Sequence, residues 1–209
     1  MSGLFHSDSP LMRFLETVTE LFLLNLFWLL CCIPVVTAGP ATLALYSVTR
    51  DMIRGNGPGA IRAFFRAFKN NFRQGLGLFF SLLIPAVLAV LYLLLSVSGG
   101  LDNAPLLKYL SYVAAALIAV VCSYAFPLAA HFENTLGHTL KNAVLLPLAN
   151  PVLAVIVTAL NFFPVILYLF NPGLMSRLSL FWVLIGFALI SYINMRLLLR
   201  FFAKLTPSE

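Results

Sequence analysis

Between Gly75 and Ser96 the chain reads GLGLFFSLLIPAVLAVLYLLLS, with no charged residue. A helix over that run is about 33 Å long at 1.5 Å per residue, enough to cross the roughly 30 Å hydrocarbon core of a bilayer. Backbone N–H and C=O groups in lipid must be satisfied internally, so a run of this kind reads as a membrane helix. Comparable runs are expected at about 18–36, 106–130, 151–170 and 178–199. Composition agrees. Of 209 residues 61% are hydrophobic and 10% charged, and mean hydropathy is +0.98. A soluble domain is about 45–50% apolar and about 25% charged. The sequence therefore predicts an all-α polytopic membrane bundle, one domain over residues 1–209.

A further segment at 38–53 is ambiguous. Its 16 residues from Ala38 give roughly 24 Å of helix, short of the hydrocarbon core. Six spans is the preferred reading, with five spans plus a re-entrant arm as the alternative. Ser9 reads as an N-cap with Pro10 at the first helical position. Val36-Thr37-Ala38 has small residues like a signal-peptide cleavage site, but Glu16 and Glu20 stand where a basic region belongs. The first run is accordingly read as an uncleaved span. RGNGPG (Arg54–Gly59), SGGLDNAP (Ser98–Pro105) and NPG (Asn171–Gly173) read as loops and turns. Pro85, Pro127 and Pro164 fall inside spans and read as kinks.

Positive charge orients the chain. With the loop after residue 53 in the cytoplasm, ten basic residues lie inside, among them Arg50, Arg54, Arg62, Lys141, Arg196, Arg200 and Lys204. Lys108 and Arg177 lie outside. Six spans place both termini in the cytoplasm of a bacterial plasma membrane; five place the N-terminus outside.

The stretch AIRAFFRAFKNNFRQ, residues 60–74, predicts an amphipathic cytoplasmic helix. At about 100° per residue, Phe64, Phe65, Phe68 and Phe72 fall within about 60° of Ile61, while Arg62, Arg66, Lys69 and Arg73 cluster at about 80–140°. Ala63 and Ala67 share a third side. The aromatics form their own stripe and are not interleaved with the basic residues as stacking platforms, which argues against nucleic acid. Anionic lipid fits both faces. Because the basic row flanks the apolar face instead of opposing it, Arg62, Arg66, Lys69, Arg73, Phe64, Phe68 and Phe72 are candidates for binding lipid or a partner. A second amphipathic segment is expected at about 131–143, with Phe132, Leu136, Leu140 and Ala143 on one side and His131, Asn134, His138 and Asn142 on the other.

Glu20, Asn25, Asn161, Asn194 and Arg196 are candidate intramembrane polar contacts, since polar groups at such depth are costly. A Glu20–Arg196 pair, or one between Glu20 and a platform arginine, is one reading; snorkelling or structural side chains is the other. Cys31, Cys32 and Cys122 lie in apolar runs and read as packing residues. His131 and His138 are two turns apart and make no metal site unaided. No phosphate-cradling glycine loop, zinc-protease motif or nucleophile elbow is present. The expectation is a protein that is not an enzyme, with no cofactor and no metal.

LFWLLCCIPVVTAGPATLALYSVTRDMIRG, then FFRAFKNNFRQG and FENTLGHTLKNA, resemble the YesL-like family of small bacterial membrane proteins over most of the chain. Pro34, Gly39, Pro40, Phe68 and the Phe132–Asn134 group belong to the shared pattern and read as structural. The resemblance implies a Gram-positive source and genes neighbouring carbohydrate importers of the ABC type, hence a role near carbohydrate uptake. It carries over no site. The expected function is an accessory or regulatory component docking on a transporter subunit through the basic helix, as a hetero- or homo-oligomer. The alternative is a stand-alone small-solute transporter or channel.

Overall fold

The computed structural model describes residues 10–55, 59–98 and 105–205. Ser9, the centre of the RGNGPG loop and most of the SGGLDNAP turn lie outside the described residues. The described residues form helices and connecting turns, with no strand. In chain order these are α1 (Pro10–Cys32), α2 (Ala38–Ile53), α3 (Ala60–Asn70), α4 (Phe72–Val97), α5 (Pro105–His131), α6 (Leu136–Ala149), α7 (Pro151–Phe170), α8 (Pro172–Arg177), α9 (Ser179–Phe181) and α10 (Phe187–Leu205). A single π-helical turn, Trp182–Gly186, joins α9 to α10.

Local chemistry explains several of these boundaries. Asn150 and Asn171 each accept a bond from the backbone N–H three residues on, Leu153 at 3.1 Å and Leu174 at 3.0 Å. A proline follows each asparagine at the first helical position, where its missing N–H costs nothing. NPG is thus the start of the short α8 and not simply a turn. Pro85, Pro127 and Pro164 sit inside α4, α5 and α7. The stretch expected as one helix over 60–74 is broken at Asn71, so Phe72, Arg73 and Gln74 open α4. The segment expected at 131–143 is likewise split, between the end of α5 and α6.

Among the described residues five stretches are long and apolar enough to cross a membrane: Leu11–Cys32, Phe72–Ser96, Tyr109–His131, Pro151–Phe170 and Ser179–Lys204. Their outer surfaces are bare of polar cover; Val155 is 69% and Phe170 87% exposed. Apolar surface on that scale belongs against lipid.

The 16-residue α2 is not among the five. It is the enclosed centre of the fold, buried from Gly39 to Thr49 except at Thr42, and packed on α1, α3, α4, α5 and α10. Near its start, a Cβ at Gly39 would collide with the Gly75 carbonyl, and a Cβ at Gly75 with Pro40. Near its end, the Arg50 guanidinium donates to the Ala130 carbonyl. Gly75 is in the first turn of α4 and Ala130 in the last turn of α5. These are the same end of an antiparallel hairpin, so α2 crosses that end obliquely and does not run its length. The core has one cluster around Leu78, Tyr124, Leu128, Val157, Leu198 and Phe202. A second gathers Leu21, Leu24, Ala44, Val48 and Phe64 from α1, α2 and α3.

Candidate functional site

The basic stretch folds back along α2. Phe64 is completely buried in the second core cluster, against protein and not lipid. That burial contributes about 1.5–3 kcal/mol. Phe64, Phe68 and Phe72 form a ladder of rings, with centroids 6.3 and 5.5 Å apart. Phe65, 46% exposed, meets Phe27 of α1 edge-on at 5.4 Å. Arg62, Arg66, Lys69 and Arg73 are exposed. The basic row is therefore held at a fixed position by a helix anchored in the protein core.

The small side of α3 faces a cavity of about 640 Å³. Ala63 and Ala67 line it without filling it, and Arg66 reaches it from the same helix. Arg50 and Asp51 enter from the last turn of α2, Glu20 from α1, and Glu133 and Asn134 from the segment after α5. Arg50 binds Asp51 at 2.8 Å, the one ion pair among the described residues, while also donating to Ala130. The Gln74 amide donates to the Asn134 carbonyl at 3.0 Å, tying the start of α4 to the α5–α6 link. Two arginines face three carboxylates here, Glu20, Asp51 and Glu133, with the amides of Asn70, Asn71 and Gln74 between them. Such a lining offers donors and acceptors in near balance, which suits a polar solute of low net charge. The two stretches singled out in the sequence, 60–74 and 131–143, meet at this cavity. The sequence did not reveal that Gln74 would bond the second stretch at Asn134, or that Arg50 would bond Ala130 just before it.

Glu20 and Arg196 are not brought together: Glu20 lines this cavity with Arg50 and Arg66, and Arg196 lines a separate groove with Arg54, His131 and Arg200. Asn25 is fully buried. Its amide nitrogen donates to the carbonyls of Trp182 at 3.0 Å and Val183 at 2.7 Å, and its oxygen accepts from the Ala188 N–H at 2.9 Å. A π turn displaces backbone groups from the regular ladder, and Asn25 satisfies three of them. Asn161 Oδ1 accepts from Asn194 Nδ2 at 2.9 Å and from the Tyr46 hydroxyl at 3.2 Å, linking α7, α10 and α2. Burial pushes the Tyr46 hydroxyl up to about 12, so it acts as a neutral donor. Periodicity in the sequence signals neither Tyr46 nor the π turn. Cys31, Cys32 and Cys122 are free thiols, partly buried against the two core clusters. His131 meets Phe132 edge-on and lies tilted against Phe202, and His138 is exposed.

A buried, mostly apolar α2 inside a jacket of five long apolar helices defines an all-helical membrane protein. Comparison narrows the class. Residues 21–99 match the family described as "Protein of unknown function, DUF624". The chain is similar to the uncharacterized protein YesL of Bacillus subtilis (strain 168), at 28% identity over 155 residues, covering 70% of this chain and 71% of that one. It is similar also to the uncharacterized protein YteU of Bacillus subtilis (strain 168), at 28% identity over 197 residues, covering 90% and 82%. These similarities agree with the resemblance carried by the PVVTAGPATLALY block and its neighbours. No solved structure matches it.

Proposed function

We propose that this chain is an accessory or regulatory subunit of a membrane transporter, docking through the basic row that runs from α3 into the first turn of α4. One observation carries the reading: Arg62, Lys69 and Arg73 are exposed while Phe64 beneath them is locked in the core. A helix meant only to rest on lipid would spend its phenylalanines on the acyl boundary. A helix seated on protein presents a rigid row of charge, and rigidity lowers the entropic cost of docking. The row faces the cytoplasm by the positive-inside rule, and the chain crosses the bilayer five times, with α2 as an internal arm. The carbohydrate-uptake setting rests on the family resemblance, and the docking on the geometry.

Purification from native membranes in mild detergent, followed by identification of co-purifying chains, tests this. A transporter subunit is expected with the wild-type chain and is lost when Arg62, Lys69 and Arg73 are changed together to Gln. A chain that purifies alone, or a partner retained by the triple variant, sinks the proposal. The balanced polar cavity of about 640 Å³ favours a second reading, a stand-alone small-solute carrier. Solute uptake by liposomes holding only this chain, abolished by Arg50→Gln, would establish it in place of the first.

A further inference from the structure

A second groove, of about 540 Å³, opens where the ends of α2, α5 and α10 meet. Arg54, His131, Arg196 and Arg200 supply its polar lining, and Ile53, Leu199 and Ala203 the rest. Among the described residues no carboxylate lines it, whereas the larger cavity sets three carboxylates against two arginines. The nearby carboxylate of Asp51 is engaged by Arg50. The Arg54 guanidinium lies 3.3 Å from His131 Nδ1. A guanidinium only donates, so Nδ1 accepts and the imidazole is neutral, with its proton on Nε2. The ring of His131 is fixed by Phe132 at 4.5 Å and Phe202 at 4.9 Å, which makes it a rigid support for Arg54. Arg196 and Arg200 are one turn apart on α10, where like charges repel.

Three guanidiniums directed at one groove without a counter-charge create a local positive potential that an anion relieves. Guanidinium forks match the oxygens of a phosphate group in pairs. The groove also lies at the ends of two membrane-crossing stretches, with aliphatic side chains beside its charges. We propose that it binds a phosphate group through Arg54, Arg196 and Arg200. The phosphate is carried by an anionic phospholipid or is free in solution.

The test uses the full chain, delipidated in detergent and titrated at constant ionic strength, with bound lipid counted by native mass spectrometry. Phosphatidylglycerol is the probe, and diacylglycerol with the same chains is the control without phosphate. Phosphatidylglycerol is expected to bind, and Arg196→Gln with Arg200→Gln to weaken it by at least about tenfold, as removal of charged bidentate donors should. Lys141→Gln with Arg177→Gln, exposed residues of equal charge change outside the groove, should leave affinity within about twofold, since distant exposed charges are screened. Competition by millimolar sodium phosphate assigns the site to free phosphate, and its absence to the lipid. Diacylglycerol binding equally well, or equal losses in the two double variants, overturns the proposal. Should the α10 pair fail to fold, Arg54→Gln on its separate element is decisive: wild-type affinity there also overturns it.

Discussion

Asn25 shows what one polar residue does at membrane depth. Its three bonds reach a turn 157 to 163 residues away in sequence. Replacing it with Leu keeps similar volume and strands two carbonyls and an N–H in a dry interior. The expected loss is about 1–3 kcal/mol, the cost of a buried polar group left unmade. A fall in the midpoint of thermal unfolding in detergent would register it; an unchanged midpoint would mean that the π turn satisfies itself. Asn161 tests the other network. Asn161→Ala and Tyr46→Phe should be non-additive, because both remove the same 3.2 Å bond. Double-mutant cycles in membrane proteins put such a coupling near about 0.6 kcal/mol. Additive effects would argue that this bond contributes nothing. Both asparagines stand out in the sequence as polar residues in apolar runs, but a lone amide carries no address for its partner.

Among the elements, α2 depends on close approach. Gly39 and Gly75 leave no room for a Cβ on either side, whereas a Cβ at Gly137 on α6 meets nothing within 4 Å. Gly39→Ala and Gly75→Ala should therefore each destabilise by about 1–3 kcal/mol through overpacking against backbone. Gly137→Ala should be neutral or gain about 0.5–1 kcal/mol from helix propensity. Unfolding curves for the three variants separate these cases, and an equal response from all three would contradict the crossing. The α3 helix makes a similar contrast. Phe64→Ala empties a filled core position and should cost about 3–5 kcal/mol. Phe65→Ala, at a half-exposed position, should cost much less. The apolar stripe of α3 was legible as a stripe. Its break at Asn71 was not, because the periodicity of the aromatics runs through it undisturbed.

For the whole molecule, the oblique placement of α2 has a topological consequence. Five crossings put the two termini on opposite faces of the membrane, and six put them on the same face. Epitope tags at each end should respond differently in spheroplasts. The N-terminal tag should be reached in intact cells, and the C-terminal tag only after permeabilisation. If both were hidden until permeabilisation, α2 would be a sixth span and its position here would be wrong. The same arrangement gathers the basic residues. Arg50 and Arg66 line the balanced cavity, and Arg54, Arg196 and Arg200 line the uncompensated groove beside it. Counting positive charge on one side of a topology diagram does not distinguish these two environments.

What the sequence determined by itself is the helical class and four of the five long apolar stretches nearly to their ends. Phe132, Leu136, Leu140 and Ala143, read as one stripe, do pack on the first core cluster. The tertiary structure alone decided what each apolar side meets. Phe64 faces protein and Phe170 faces outward, although both are phenylalanines in apolar patterns. The reason is physical. In water a hydrophobic stripe has one destination, the core. In a bilayer lipid tails are as apolar as leucine, so the pattern no longer separates a neighbouring helix from the solvent. Close backbone approach, paired amides and uncompensated arginines make that choice, and those exist only once distant segments have met.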